Sequence, residues 1–443
     1  VLKNKLRKYQ LEGISIIYKT LQKNRGFLLA DETGLGKSVQ ALKILQKIGG
    51  KYSLIVCPAN LKLKWEDEIK KWLPNKRPVI IIKSYNECID PDIRRYLIKH
   101  IFDILIIDEV HYLKNFESKR TQAIFGAPAL KCKTIANCSK KILGISATPI
   151  PQRVGELYPW LWTTQNDIIK NQTFEKFIVK WAKTFRFTKF GLTHRGVRNP
   201  EELKKELYKS MLRRKKYEVL SELPPSTRNN IPIEISAEMY VEERELLTEL
   251  LEKAGYKSSQ LNLIIDNPSF LNQLLKTVPS FDQLTIYKHQ QGLFKIKSVF
   301  EYIKKIVVPD QKKFILFAYH ADVAEKYYDL LKEKNLSLTL ITGKMDPEER
   351  YKLIKKTDKQ EENILVATLG AVREGFDLIG YADSYFTELD WAPYVLTQNE
   401  GRTLRLGQEK PVTWNYFLYD KGIEKYIFDT LQTKYDTISK ILD

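Results

Sequence analysis

Residues 31–38, DETGLGKS, constrain this chain more than any others: two glycines, a lysine and a serine stand where an apolar run gives way to helical spacing. Residues 26–30 (GFLLA) read as a short buried strand, and residues 39–48 carry apolar side chains at helical intervals. A loop at such a turn aims successive backbone N–H groups and a helix N-terminus at a polyanion. In that role Thr33, Gly34, Leu35 and Gly36 cradle the phosphates, Lys37 reaches the β- and γ-phosphates, and the Ser38 hydroxyl holds Mg²⁺. The strict phosphate-loop pattern asks for glycine at position 31, where this chain has Asp31.

A second feature supports the first. Residues 104–107 (ILII) form an apolar run suited to a central parallel strand buried on both faces, and Asp108 and Glu109 follow it. Carboxylates at that end of a strand lie where open α/β sheets bind ligands. Asp108 is expected to bind Mg²⁺ through water, and Glu109 to polarise the attacking water. The two features together predict an enzyme that binds and hydrolyses ATP.

Composition narrows the partners. The 443 residues hold 73 Lys and Arg against 54 Asp and Glu, a net charge of +19, with a pI near 9.4. That excess implies a polyanion, nucleic acid before an anionic membrane surface. No apolar run reaches the length of a membrane span, and the first residues lack a signal-peptide core. The four cysteines, Cys57, Cys88, Cys132 and Cys138, form no C-x-x-C pair. Cys57 lies in a strand-like run and reads as a core thiol; Cys132 and Cys138 read as ordinary loop residues, which suits a reducing intracellular setting.

Strand-like runs alternate with helical patterns twice. The first array comprises residues 27–30, 54–57, 79–82, 104–107 and 142–146; the second comprises 313–318, 337–341, 364–367, 384–388 and 412–418. Each alternation predicts an α/β unit built on a parallel sheet. Between them, residues 155–288 are largely helical by pattern, with basic and proline-containing turns.

The order of these motifs resembles superfamily 2 helicase-type motors, and more narrowly the SWI/SNF-related ATPase family. LRKYQLEG at 6–13 resembles the adenine-recognising opening, with Gln10 as its glutamine. DETGLGKS resembles the family's D-E-x-G-L-G-K-[ST] loop, in which Asp31 is expected. LIVCPANLKLKWE at 54–66 resembles the segment that lies beside the DNA backbone, and it carries Lys62 and Lys64. DEVH at 108–111 and GISATP at 144–149 resemble the next two motifs, the latter implying that Ser146 and Thr148 couple the ATP site to the nucleic-acid face. ITG at 341–343 and VATLGAVREGFDL at 366–378 resemble second-lobe motifs. QNEGRTLRLGQ at 398–408 resembles the Q-x-x-x-R-x-x-R-x-G-Q signature, which adds Gln398 to the coupling residues.

The resemblance implies two tandem RecA-like lobes with a largely helical insertion: residues 1–154 as the ATP-binding lobe, 155–290 as a basic insertion and interlobe brace, and 291–443 as the second lobe. It places ATP in a cleft between the lobes. Arg402 and Arg405 are three apart and share a helix face. As arginine fingers on the γ-phosphate they are worth on the order of 10³–10⁵ in rate.

Residues 180–216 hold thirteen Lys and Arg against three Glu, interleaved with Trp181, Phe185, Phe187 and Phe190. This is the composition of a phosphate-contacting surface. The aromatics read as small-core residues ahead of base-stacking platforms. MLRRKKYEVLSELPPSTR at 211–228 resembles the family's brace, and Arg213 and Arg214 within it are expected to contact DNA. The stretch from Trp181 to Arg228 is similar to the HepA-related annealing-helicase branch, and EGFDL at 374–378 to branch-migrating helicases.

The expectation is therefore a monomeric DNA-dependent ATPase, using ATP and Mg²⁺, that remodels forks and junctions in a bacterium or a virus-infected cell, at the nucleoid or in the cytoplasm. DNA, duplex and branched, is its expected partner, read with little sequence preference. A duplex translocase that displaces bound proteins without strand separation is the alternative.

Overall fold

A computed structural model describes residues 5–74, 78–128, 133–150, 152–169, 172–188, 191–253, 281–310, 313–334, 336–360, 363–372, 377–419 and 422–442. The chain divides into two compact units, residues 1–221 with 434–443, and residues 222–433.

The first unit is built on β1 (Gly26–Leu29), β2 (Tyr52–Cys57), β3 (Val79–Ser84), β4 (Phe102–Asp108) and β5 (Ser139–Ile145). An antiparallel pair, β6 (Thr184–Thr188) and β7 (Gly191–Arg195), stands apart from the sheet, and β8 (Met211–Leu212) joins its edge. The sheet order is β3-β2-β4-β5-β1-β8, all parallel. Alternate residues feed opposite faces, as the two-residue period of a strand requires. Leu54, Val56, Leu105 and Ile107 enter one core, while Ile55, Cys57, Ile104 and Ile106 enter the other. Burial on both faces is why these strands read as unbroken apolar runs.

The second unit repeats the plan with β9 (Ser226–Pro232), β10 (Phe314–Ala318), β11 (Leu338–Ile341), β12 (Ile364–Thr368), β13 (Asp383–Phe386) and β14 (Val412–Leu418). The order is β11-β12-β10-β13-β14-β9, again parallel. Ile315 and Phe317 point to one core, Phe314 and Leu316 to the other. Two parallel α/β sheets are therefore present, as expected.

The middle segment differs from expectation. Contacts divide it between the two units. Phe177, Trp181, Leu203 and Leu207 are buried in the first unit's core and β8 pairs with β1, while β9 pairs with β14 along seven residues. Residues 254–280 lie outside the described residues. No helix among the described residues is long and apolar enough to cross a membrane. Cys57, Cys88 and Cys138 are buried free thiols; Cys132 lies outside the described residues.

Candidate functional site

The loop after β1 turns on Gly34 and Gly36, with φ of 86° and 71°. The left-handed backbone at Gly36 favours glycine, and a Cβ there would crowd the Gln10 amide, 2.4 Å from Nε2. The helix Lys37–Ile48 begins at once, and its first N–H groups face the loop. Lys37 Nζ donates to the carbonyls of Asp31 (2.7 Å) and Glu32 (3.1 Å). The carbonyl of buried Leu35 accepts from the Tyr9 hydroxyl (3.2 Å), Gln10 Nε2 (3.3 Å) and Gln40 Nε2 (3.4 Å). Gln10, expected at adenine, thus has its amide tied to the loop, and its Oε1 accepts from the Arg7 N–H. Thr33 is buried, and Ser38 is half-buried in the first helical turn.

Asp108 ends β4 with its carboxylate buried. Its Oδ2 accepts from Trp65 Nε1 at 2.8 Å and its Oδ1 from the Glu109 N–H at 3.1 Å. Burial, then the Glu109 charge, pushes its carboxyl up to about 7, while Trp65, Lys37 and Lys64 pull it down. A carboxylate so disfavoured is stabilised by a cation. Among the described residues no group of three or more His, Cys, Asp or Glu could hold a metal by itself. Mg²⁺ asks for less, one or two carboxylates with water and phosphate oxygens, and Asp108 with Ser38 fits that ion.

Glu109 lies in the left-handed region, φ 54° and ψ 53°, a conformation that a non-glycine residue holds at a cost of about 1 kcal/mol or more. Its Oε2 lies 3.2 Å from His111 Nδ1 and accepts from the Ser146 hydroxyl at 3.4 Å. His111 Nδ1 and Ser146 Oγ are 2.9 Å apart, and the Thr148 N–H donates to Ser146 Oγ at 3.1 Å. A buried polar chain therefore runs from the end of β4 to the turn after β5. Tyr85 braces it by donating to the carbonyls of Asp108 (2.7 Å) and Glu109 (3.2 Å).

In the second unit the helix Pro393–Thr403 carries Gln398 and Arg402. Gln398 is fully buried, its side-chain amide without a hydrogen-bond partner among the described residues. Arg402 is buried. Arg405 donates to the Gly401 carbonyl at 2.8 Å and pairs with Asp377. Residues 373–376, which hold most of the EGFDL resemblance, lie outside the described residues.

The expected DNA contacts fall less simply. Lys62 pairs with Glu87 at 2.9 Å, and Lys64 lies close enough to lower the Asp108 carboxyl. Of the two arginines expected at DNA, Arg214 turns its donors inward, and Arg213 turns its Nη1 inward. Arg213 donates to the carbonyls of Ala30 (3.1 Å) and Ala147 (2.9 Å). Arg214 forks onto buried Asp31 and donates to Gln40 Oε1 and the Tyr9 carbonyl. A buried carboxylate needs such a partner, and Asp31 lies 183 residues from Arg214 in sequence but beside it in space. The aromatics also separate. Trp181 is core, whereas Phe185 and Phe187 on β6 are 37% and 64% exposed; Phe190 lies outside the described residues.

Trp65, Tyr85, Tyr9, Gln40 and the Asp31–Arg214 pair are site residues that sequence reasoning left unassigned. Trp65 was visible only as part of the 54–66 resemblance, and no local pattern marks Tyr85 or Gln40.

Comparison with known proteins agrees with this arrangement. Residues 9–88 match the SNF2-related domain and residues 298–407 the helicase conserved C-terminal domain. The chain is 28% identical to the SWI/SNF-related matrix-associated actin-dependent regulator of chromatin subfamily A-like protein 1 of Xenopus tropicalis, over 98% of this chain and 44% of that protein. It is 26% identical to the human DNA annealing helicase and endonuclease ZRANB3, over 98% of this chain and 40% of that protein. It is also 26% identical to an uncharacterized ATP-dependent helicase of Mycoplasma pneumoniae, over 99% and 42%. The chain thus spans less than half the length of these relatives. The Sulfolobus solfataricus SWI2/SNF2 ATPase core, solved with dsDNA, aligns over 100% of this chain and 97% of that one, at 19% identity and a TM-score of 0.44.

Proposed function

We propose that this chain is an ATP-driven DNA motor that remodels branched DNA, forks and four-way junctions, by translocating on the duplex with little sequence preference. The observation that carries the ATP-driven part of the reading is the buried chain Asp108–Glu109–His111–Ser146, beside a phosphate loop whose Lys37 charge acts on Asp108. It links the proposed water-activating group to the turn after β5, so a change at one is felt at the other. The matched domains, and the DNA annealing helicase and the ATP-dependent helicase among the relatives, support the same class.

In the proposed cycle, Lys37 and the loop N–H groups hold the phosphates, and Glu109 orients and deprotonates the attacking water. Mg²⁺, when bound by Asp108 and Ser38, neutralises phosphate charge. Arg402 and Arg405 take the role that the resemblance gives them, stabilising charge on the γ-phosphate. Lys64 is retained as a candidate DNA contact. On the same reading the protein acts as a monomer at the DNA of a bacterial or virus-infected cell.

ATP turnover measured with no DNA, linear duplex and forked DNA tests the class. Stimulation by DNA at least several-fold over the basal rate is expected, and turnover indifferent to DNA would contradict a motor.

A further inference from the structure

The segment that leaves the first unit is fastened along the phosphate loop, residue by residue. The Leu28 N–H donates to Ser210 O (2.9 Å), Ala30 N–H to Leu212 O (2.7 Å) and Glu32 N–H to Arg214 O (3.1 Å). The parallel ladder between β1 and β8 therefore continues past both strands into the loop. The Lys216 N–H then donates to Glu32 Oε2 at 2.8 Å. Side chains reinforce the ladder. Arg214 Nε reaches Asp31 Oδ1 at 3.0 Å, its Nη2 reaches Asp31 Oδ2 and Gln40 Oε1 (2.9 Å), and Gln40 Nε2 returns to Asp31 Oδ2 at 3.1 Å. Asp31 is completely buried and the Arg214 side chain is 13% exposed, so this is a desolvated, charge-assisted fork with its donors committed. Gly13 admits it, since a Cβ there would lie 2.4 Å from Gln40 Oε1 and 2.8 Å from Arg214 Nη2.

The same two residues that hold this segment also hold Lys37, through the carbonyls of Asp31 and Glu32. Phosphates that draw the Lys37 ammonium toward them compete with those carbonyls. A shift of those carbonyls would be felt where the Glu32 N–H donates to the Arg214 carbonyl and where the Glu32 carboxylate accepts from the Lys216 N–H.

We propose that Arg214 is a positioning residue that sets the phosphate loop, and that through Asp31 and Glu32 it transmits nucleotide occupancy to residues 215–221, where the first unit ends. This rests on reading the loop as a nucleotide site. The role differs from DNA contact, because the guanidinium faces a buried carboxylate.

The test is amide hydrogen exchange of the full chain, with and without ADP, read at residues 215–221, beside fluorescent-ADP binding to wild type and Arg214→Lys. Lysine keeps the charge beside Asp31 but cannot make the fork. Expected are an ADP-dependent change in exchange of the Lys216 amide in wild type, its loss in Arg214→Lys, and roughly tenfold weaker ADP binding by that variant. Failure of wild type to bind ADP would overturn the nucleotide reading and this proposal with it. ADP binding with unchanged exchange at 215–221 would overturn this proposal alone, and the wild-type comparison stands even where the variant does not fold. Unchanged affinity and exchange in Arg214→Lys would remove Arg214 from the link.

Discussion

Glu109 combines a left-handed backbone with a carboxylate shared between His111 and Ser146, an arrangement whose strain the rest of the site must support. Glu109→Gln keeps the shape and removes the proton acceptor, so DNA-stimulated turnover should fall at least about 100-fold with fluorescent-ADP binding retained; turnover near wild type would remove Glu109 from the chemistry. Lys37→Ala should abolish turnover and weaken nucleotide binding together, because its ammonium serves both; a steady-state and a binding titration separate the two variants. Lys288 carries a different kind of strain. It is 4% exposed, its Nζ lies 2.9 Å from the Tyr319 ring centroid, and it has no hydrogen-bond partner among the described residues. Burial lowers its ammonium from 10.5 to about 8, against the pull of Glu388, Asp390 and Glu424. The folded state therefore disfavours the proton that the unfolded chain keeps. Below pH 8 the whole penalty of roughly 3 kcal/mol is in place, and it fades as pH rises toward 10.5. Lys288→Met should stabilise the second unit at pH 7 by about 1–3 kcal/mol, with the advantage shrinking between pH 8 and 10.5. Thermal melts across that range check this, and a variant less stable at pH 7 would show that the neighbouring carboxylates need the cation more than the fold resents it.

The elements that were legible in the sequence are those whose burial wrote a pattern. β2 and β4 announce themselves because both faces are apolar, and the phosphate loop because lysine, serine and two glycines follow a strand. β9 does not. Its residues, STRNNIP, are almost all exposed, and the strand exists because β14 offers it an edge to pair with. β8 is two residues long and is held by β1. The unit boundary at residue 221 follows from those pairings, so it was hidden with them. Arg214 is hidden for the same reason: a basic run looks like a surface until the buried Asp31 is placed beside it. On the β6–β7 hairpin, exposure restores the reading that composition had ranked second. Phe185 and Phe187 share one strand face, their rings 6.3 Å apart, and the exposed cations Arg186 and Arg195 lie on the opposite face of the hairpin. Phe185→Ala with Phe187→Ala should leave duplex-stimulated turnover within about twofold, yet weaken binding to forks with single-stranded arms about tenfold, the loss of one or two stacked bases. Equal loss on duplex and fork would assign the pair to general DNA affinity.

Taken together, the 443 residues form two parallel α/β units with a net charge of +19, one of them carrying a phosphate loop, an acidic pair and the polar chain that joins them to the turn after β5. A motor that tracks backbone phosphates should lose DNA affinity steeply as salt rises, with little change between sequences. Strand separation distinguishes branched-DNA remodelling from simple translocation. The decisive measurement is ATP-dependent strand separation on equimolar linear duplex, replication fork and four-way junction at one salt concentration. Conversion of fork and junction, with the linear duplex intact and Glu109→Gln inactive, is the predicted result. ATP turnover on all three with no strands separated would contradict it, and would point to a duplex translocase that acts on bound proteins.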